Sequence, residues 1–543
     1  MDASIGDGTC ADSNGRCSLR AAVQEANAAG GADTIRLAAR ATYTLSIAGA
    51  SEDGAATGDL DATSTITIQG RGSTVDAAGL DRAFDALAAN LTVDGLTVIG
   101  GAPPETQSGG GYRSTGTLVI SNSQINGNTV FGAGASGGGI INDVGTLRLS
   151  NSGLDANAAT RAGGAIEANL GTTSLDRVSL SNNATGPTPG NGGGLHLTGT
   201  GSVSVTNSAV TGNTATEEGG GLWNSSTGTF SVSGTEVSGN TASGPAADQG
   251  GGGLFSDGGS LSVFDVDITG NSADGLSGSG GGILNNLGVL TVERSSIRDN
   301  DAHRAGGGIE ANVGTTTVSG SNLSGNTAGP NPGNGGGLHL TGAGSVEVTG
   351  TVVARNDATD EGGGLWNSAT GTMTVSRSTV VDNRADGDDA DQGGGGLFND
   401  GGSLSVSGSR LNIATGVSGS GGGILNNLGT LSVSDTVLDD NSSTRAGGGI
   451  EANGGTTDLS EVRLSSNSTG FNPGNGGGLH LTGAGTVTID ASRVTENIAS
   501  SEGGGLWNSD TGTMTVTNTA IKGNAAPVGP QVFNDGGTFT IDG

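Results

Sequence analysis

The chain has little of what builds a compact globular core, and it has almost no lysine. Only 3% of its 543 residues are aromatic, and tryptophan occurs three times. Lys522 is the only lysine, and the formal net charge is −31. The absence of a basic stripe argues against nucleic acid and anionic membrane surfaces as partners. No run of about 18 apolar residues occurs, so the sequence predicts no membrane span.

Cysteine is equally scarce, and Cys10 and Cys17 are the only two. A small disulfide loop between them would indicate an oxidising, extracytoplasmic location, and two free thiols are the alternative. The chain opens without an apolar signal segment, so we expect a form that lacks its export signal, or else a cytosolic start. It closes in mid-repeat, which we interpret as a truncation or as an edge covered by another molecule, including end-to-end or lateral self-association.

Glycine is abundant instead, with 110 residues, and it is periodic. From about residue 109, the pattern GGG-(I/L)-x-N-x-x-G-T-(L/V)-x-V-x-x-S-x-(I/V)-x-x-N-x-A recurs sixteen times, at steps of 26 to 32 residues. Each copy holds three short strands with turns and shows no helical periodicity, which is typical of a parallel β-helix. The sequence therefore predicts an all-β solenoid with about 28 residues in each coil.

Two further features complete the predicted fold. Residues 18–29 have a helical pattern that stops at two glycines, and this helix would cover the first coil. We therefore expect an N-terminal cap over residues 1–63 and a β-helix over residues 64–543. Asparagines that recur at one turn are predicted to stack as an inward amide ladder. They are Asn182, Asn213, Asn240, Asn271, Asn300, Asn326 and Asn383.

A second, longer period carries the rarest side chains. From about residue 136, five coil types follow one another in fixed order, and the order runs through almost three times. The residue after the apolar anchor of each glycine triplet forms one column along the coils, and we call this set the column. Like members should lie about 24 Å apart. The candidate binding residues of the column are Glu167, His196, Trp223, Phe255, Glu310, His339, Trp366, Phe398, Glu451, His480 and Trp507.

The column has three interpretations. Strand alternation points it outward, where exposed aromatic side chains would suit a glycan or a cell-surface protein. Alternatively, the loops before the glycine triplets (residues 186–189, 329–332 and 470–473) fold over it, or block duplication alone explains it. A pair such as Glu310 and His339 is close enough for a charge-assisted hydrogen bond and for acid–base chemistry. Three equivalent copies favour a binding lattice over a catalytic centre.

Acidic residues near the N-terminus form a candidate metal site. Asp53, Asp59 and Asp61 offer carboxylate oxygens, which Ca²⁺ prefers. A structural Ca²⁺ ion is therefore one expectation, and a solvated acidic loop is the alternative. The sequence predicts no other cofactor.

Several segments resemble a known group of proteins. The two cysteines and the run CSLRAAVQEANA resemble the CSLREA motif that opens many secreted bacterial right-handed β-helix proteins, and Glu52–Gly79 resembles their first coils. The glycine-triplet coils are similar to repeats of polymorphic outer-membrane proteins and of adhesin-like autotransporter passengers. The resemblance covers nearly the whole chain and is specific for fold but weak for function.

This resemblance implies a right-handed β-helix at the bacterial cell surface or outside the cell. It also implies a structural or adhesin-like protein that presents a repetitive face to a glycan or another protein. Because many β-helix proteins cleave polysaccharides, a lyase or glycoside hydrolase is the alternative function. We expect a protein that is not an enzyme.

Overall fold

The structure is a computed structural model that describes residues 1–417 and 419–542. The chain divides into two compact units, which we call unit 1 and unit 2. Unit 1 comprises Met1–Gly244 and Gly252–Asp267, and unit 2 comprises Pro245–Gly251 and Ile268–Gly543. In each unit, successive coils pair strand on strand in parallel. The predicted all-β parallel β-helix is therefore confirmed.

Unit 1 begins with the predicted helical cap. The helix spans Leu19–Ala28, and the side chain of Ser18 caps its first turn by accepting from the backbone N–H of Ala21. The buried guanidinium of Arg20 donates to backbone carbonyls of residues 55–59, which fixes that loop against the helix. A disulfide joins Cys10 to Cys17, so the disulfide interpretation is confirmed over two free thiols.

One coil of unit 2 illustrates the repeat. Its strands are Ile309–Asn312, Thr315–Ser319, Asn322–Ser324 and Thr327–Ala328. The second and third of these belong to one sheet and are separated by a bend at Gly320, whose φ is +53°. Three sheets therefore result, as the sequence predicts. Alternate residues of the long strand are buried, because a pleated strand turns every second side chain to the core.

In each unit, one of these sheets contains the strands that carry the column, and the residues of its strands are mostly buried on both faces. In unit 1 these strands are Leu60–Ala62, Phe84–Ala86, Tyr112–Ser114, Ile140–Asp143, Ile166–Asn169, Leu195–Thr198, Leu222–Asn224 and Leu254–Asp257. In unit 2 they are Ile283–Asn286, Ile309–Asn312, Leu338–Thr341, Leu365–Asn367, Leu397–Asp400, Ile424–Asn427, Ile450–Asn453, Leu479–Thr482, Leu506–Asn508 and Val532–Asn534.

The asparagine ladder is present with one corrected member. The amide of Asn300 donates to the side-chain oxygen of Asn326 at 3.0 Å, and Asn326 donates to Asn356 at 2.9 Å. Each side-chain oxygen also accepts the backbone N–H of the asparagine before it. Asn182 is exposed with φ +53°, and its neighbour Asn183 occupies the ladder instead. The prediction for Asn182 was therefore wrong by one residue, because two asparagines adjoin there.

Candidate functional site

The column is buried. Only 9%, 8% and 9% of Trp223, Trp366 and Trp507 is exposed, and the Glu and His members are buried as well. Phe255 and Phe398 lie deeper still. Of the interpretations open for the column, the exposed aromatic face is therefore contradicted, and the covered alternative is the one that the structure shows. Whether these residues bind a ligand stays a prediction.

The start of each glycine triplet covers the column residue of its own coil. Gly335 has φ +64°, and a Cβ added to it would lie 2.6 Å from the Cβ of His339. Gly362 stands in the same relation to Trp366, at 3.0 Å. The residue before each triplet then pairs with its equivalent in the next coil, as Ala305 does with Asn334. The backbone that covers the column residues therefore begins at the glycine triplet, where the chain turns back, and does not consist of the proline-containing loops alone.

Each glutamate of the column is hydrogen-bonded to a histidine and a threonine of the next coil. In unit 2, His339 Nδ1 lies 2.9 Å from Glu310 Oε2, and the hydroxyl of Thr341 donates to Glu310 Oε1 at 2.7 Å. The same arrangement recurs in the other two blocks, as Glu167–His196–Thr198 and Glu451–His480–Thr482. The column residues that the sequence pairs are therefore brought together in all three blocks.

The glutamates of the first two blocks are stabilised as carboxylates. Burial by itself would raise the pKa of Glu310, but the His339 imidazole and hydrogen bonds from His339 and Thr341 bring that pKa below its usual value. The pKa of Glu167 is lowered for the same reasons. An ionised carboxylate only accepts hydrogen bonds, so the histidine donates from Nδ1 and its Nε2 is directed away from the glutamate.

The aromatic members of the column stack on one another. In unit 2, the rings of His339 and Trp366 lie 4.2 Å apart between centroids, and Trp366 and Phe398 lie 6.1 Å apart, nearly parallel. Leu425 packs next in this cluster. His196, Trp223 and Phe255 repeat the stack in unit 1. Each aromatic pair contributes about 0.5–1.5 kcal/mol beyond its buried area.

A second glutamate, not predicted as a site residue, accepts a hydrogen bond from the N–H group of each indole. Trp366 Nε1 donates to Glu361 Oε2 at 2.9 Å, and Asn334 donates to the same oxygen at 3.3 Å. Burial raises the pKa of Glu361 to about 7, against the lowering effect of the Trp366 hydrogen bond. The sequence does contain a signal for this glutamate and for the threonine that contacts the column glutamate. The glutamate is the first residue of every EGGGLWNS motif, and the threonine follows the second leucine of every GGGLHLTG motif.

Two features limit the chemistry of this arrangement. The glutamate oxygens are already hydrogen-bonded, and the equivalent glutamates of unit 2 lie far apart. Both oxygens of Glu310 already accept hydrogen bonds. Glu310 and Glu451, both in unit 2, lie five coils apart, about 24 Å, whereas glycosidases hold two carboxyl groups about 5–9.5 Å apart. Histidine Nε2 is the polar atom of the pair that takes no part in the hydrogen bond to the glutamate. The arrangement suits hydrogen bonding better than paired-carboxylate hydrolysis.

The three predicted metal ligands do not lie together in the structure. Asp59 and Asp61 are buried and lie with Asp85, their carboxylate oxygens within 4.8 Å of one another, whereas Asp53 is exposed. Arg82 Nη1 lies 3.1 Å from Asp59 and 3.0 Å from Asp85, so a cation already neutralises part of this cluster. Burial raises the pKa of Asp59 to about 8 and that of Asp61 to about 7.

These residues offer a partial fit to Ca²⁺. Oδ1 of Asp61 has no hydrogen-bond partner among the described residues, which leaves one carboxylate oxygen for an ion. Ca²⁺ takes six to eight oxygen ligands, and the three aspartates supply too few without water or backbone oxygens. The ion therefore stays a prediction, with Asp85 in place of Asp53.

The tryptophan–glutamate contact predicts a titration of fluorescence. Because the pKa of Glu361 is about 7, Trp366 should face a neutral carboxyl group below that pH and a carboxylate above it. In a Trp223→Phe/Trp507→Phe background, we expect the emission of Trp366 to change with a midpoint near pH 7. Glu361→Gln should abolish the change. A titration that survives this substitution would contradict the assignment.

The aspartate cluster predicts a pH- and Ca²⁺-dependent stability. Aspartates whose folded pKa is raised stabilise the fold when protonated, and this contribution is lost as the pH rises from about 4 through about 8. We expect Asp59→Asn to flatten this decline in the unfolding temperature. At the alkaline end, millimolar Ca²⁺ should raise the unfolding temperature of the parent and of the control Asp53→Asn, but not of Asp61→Asn. An equal response in all three proteins would exclude this site.

Comparisons with known proteins agree with the fold. Residues 164–353 match a protein-family model described as a right-handed β-helix region. No curated protein matches the chain. In the part of the chain that the structure describes, no helix has the length and apolar character needed to cross a membrane. The parallel coils of both units, together with this match, show that the chain has a right-handed β-helix fold.

Proposed function

We propose that the protein is a secreted or cell-surface β-helix protein with a structural, adhesin-like role. The observation that carries this proposal is that the rarest residues of the chain are buried against one another. The five-coil repeat directs Glu310, His339, Trp366 and Phe398 toward one another and buries them. A repeated internal stack stabilises many similar coils, as a scaffold requires, whereas an active site needs one exposed constellation.

The location rests on three supports. The disulfide between Cys10 and Cys17 suits an oxidising compartment, since cytosolic proteins rarely keep such bonds. The run CSLRAAVQEANA resembles the opening motif of secreted bacterial β-helix proteins. The high negative charge favours solubility outside the cell and disfavours nonspecific contact with anionic surfaces.

A polysaccharide-active enzyme is the second candidate. One observation favours it, because Glu451 and His480 line a pocket. A histidine whose Nδ1 is oriented by a carboxylate is a common general base. Three copies of the same pair, with both carboxylate oxygens engaged, favour the structural role.

A polysaccharide panel separates the two candidates. The full chain would be incubated with pectate, alginate, xylan and hyaluronan, with millimolar Ca²⁺ or with a chelator. We expect no new reducing ends and no unsaturated products, whereas beads coated with at least one of these polymers, or whole cells, should retain the protein.

The control is a triple variant, Glu167→Gln/Glu310→Gln/Glu451→Gln, which is checked first for its circular dichroism spectrum. Cleavage by the parent that is lost in this variant would establish the enzyme and contradict the proposal. Absence of both cleavage and retention would contradict the adhesin-like role, because it leaves no surface that binds.

A further inference from the structure

An open depression on the surface of unit 2 is lined by three cationic side chains. They are Arg463, Arg493 and Lys522, and the depression has a volume of about 580 Å³. All three side chains are exposed, and Lys522 is the only lysine of the chain. Thr495 adds a hydroxyl group to the lining, and Glu496 adds its one carboxylate. Positive charge is therefore concentrated here, on a protein whose formal net charge is −31.

The sheet register brings the two arginines side by side. The strands Arg463–Ser465 and Arg493–Thr495 belong to successive coils and pair in parallel, with Arg463 opposite Arg493. Neighbouring strands lie about 4.8 Å apart, so the two cationic side chains leave the sheet at closely spaced points. Like charges on neighbouring strands repel each other and destabilise the pairing. An anion bound between them would therefore stabilise this part of the sheet.

An arginine two coils earlier shows how the chain neutralises this position. Arg410 is the first residue of the equivalent strand, Arg410–Asn412, and its Nη2 lies 3.3 Å from the carboxylate of Asp439. Asp439 is the third residue of the strand in the next coil, so the two positions are diagonal neighbours. The other oxygen of Asp439 accepts from the hydroxyl of Ser465 at 2.7 Å, so both oxygens are engaged. A carboxylate at the diagonal position is thus the internal counter-ion for an arginine that begins this strand.

The depression lacks this counter-ion. Thr495 stands at the diagonal position of Arg463, and Lys522 stands at that of Arg493. None of the three cations forms an ion pair with another described residue. Glu496, on the turn that follows Thr495, is the only carboxylate of the lining, and one carboxylate does not balance three cations. The register therefore leaves a place for an anion that the described part of the chain does not supply.

The lining suits a compact oxyanion. A guanidinium group presents parallel N–H donors that match the two oxygens of a carboxylate, and the same fork fits a sulfate or phosphate group. The hydroxyl of Thr495 can donate to a further oxygen. The volume lies within the range of about 300–1,000 Å³ that small-ligand pockets occupy. These donors favour an anionic ligand over a neutral one.

The rest of the chain limits how much negative charge the ligand can carry. Duplex nucleic acid carries about one charge per 1.7 Å, and a net charge of −31 repels such a dense polyanion. The three cations extend over only about 10 Å, and at physiological salt their field reaches about 8 Å. A glycan whose charged groups are separated by sugar rings fits these limits better. We propose that the depression binds the carboxylate or sulfate group of an acidic glycan, which rests on the proposed adhesin-like function and names its ligand class.

The first experiment compares sugars that are matched except for the charged group. D-glucuronate with its methyl ester, and D-glucose 6-sulfate with D-glucose, would be titrated into the full chain and followed by saturation-transfer NMR. A chelator is present throughout, so that Ca²⁺ at the aspartate cluster does not contribute. We expect at least one acidic sugar to bind saturably and its neutral partner to bind about fivefold more weakly or not at all. Added NaCl should weaken the binding, because the groups are exposed.

Matched variants assign the binding to the depression. Arg463→Gln/Arg493→Gln removes both guanidinium groups and should weaken binding about fivefold or more. Arg410→Gln removes an exposed arginine from the same strand position outside the depression, and it should leave affinity unchanged. Thr495→Asp places a carboxylate where Asp439 lies beside Arg410, so it should weaken binding by supplying the counter-ion internally.

The same variants test the repulsion between the cations without any ligand. All of these side chains lie at the surface, and circular dichroism establishes that each variant folds. Because Thr495→Asp supplies the missing counter-ion, we expect its urea unfolding midpoint at low ionic strength to equal or exceed that of the parent. A lower midpoint would contradict the claim that this position lacks a counter-ion.

Several outcomes overturn the proposal. These are no binding of either acidic sugar, equal binding of an acidic sugar and its neutral partner, or unchanged affinity in Arg463→Gln/Arg493→Gln. Binding of inorganic sulfate or phosphate by calorimetry, with no binding of an acidic sugar, would assign the site to a free ion instead. A dimer in sedimentation that dissociates in the double variant would assign it to a second copy of the chain.

Failure here is distinguishable from failure of the adhesin-like function. Retention on a polysaccharide that persists in Arg463→Gln/Arg493→Gln, without binding of either acidic sugar, would refute this site and leave the adhesin-like function standing. Absence of both retention and sugar binding would refute the two together.

Discussion

The close approach of glycine backbones between coils is the constraint on which the site depends. A Cβ on Gly336 would lie 2.6 Å from the carbonyl oxygen of Gly363, and one on Gly337 would lie 2.5 Å from that of Gly364. Real Cβ atoms do not come so near, so a side chain at either position requires the neighbouring backbone to shift, and glycine is favoured there. Ala165, at the position equivalent to Gly337 in another coil, is the small exception. Because the backbones meet here, the chain can reverse at the positive φ of Gly335 and lie over the column.

This cover converts an outward-facing strand position into an interior one. The column then needs partners for each polar atom, and the coils supply them from neighbouring positions: a threonine and a histidine for Glu310, and a glutamate for Trp366. Breaking such a buried pair is strongly destabilising, because it leaves an uncompensated charge. One complete set of these partners and stacked side chains extends over the successive coils of one five-coil block.

The sequence predicts the coils, the helix and the pairing of Glu310 with His339, because each follows from periodicity or from parallel register. The disulfide is favoured only by the closeness of the two cysteines in the sequence. The sequence leaves the burial of Trp366 open as one of several interpretations, since strand alternation defines inside and outside only for a single sheet. The reversal at Gly335 adds a second backbone layer, and its position depends on contacts between coils. Asn183 was missed for a simpler reason, as two adjacent asparagines fit the pattern equally well.

The central claim is that each of the three tryptophans belongs to an internal stack of its own block and does not present a contact surface. Acrylamide quenching of tryptophan fluorescence in the full chain tests it most directly, with the urea-unfolded protein as reference. The structure predicts blue-shifted emission and a quenching constant several-fold below that of the unfolded chain, because each indole is at least nine-tenths buried. Equal quenching of the native and unfolded protein would contradict the account.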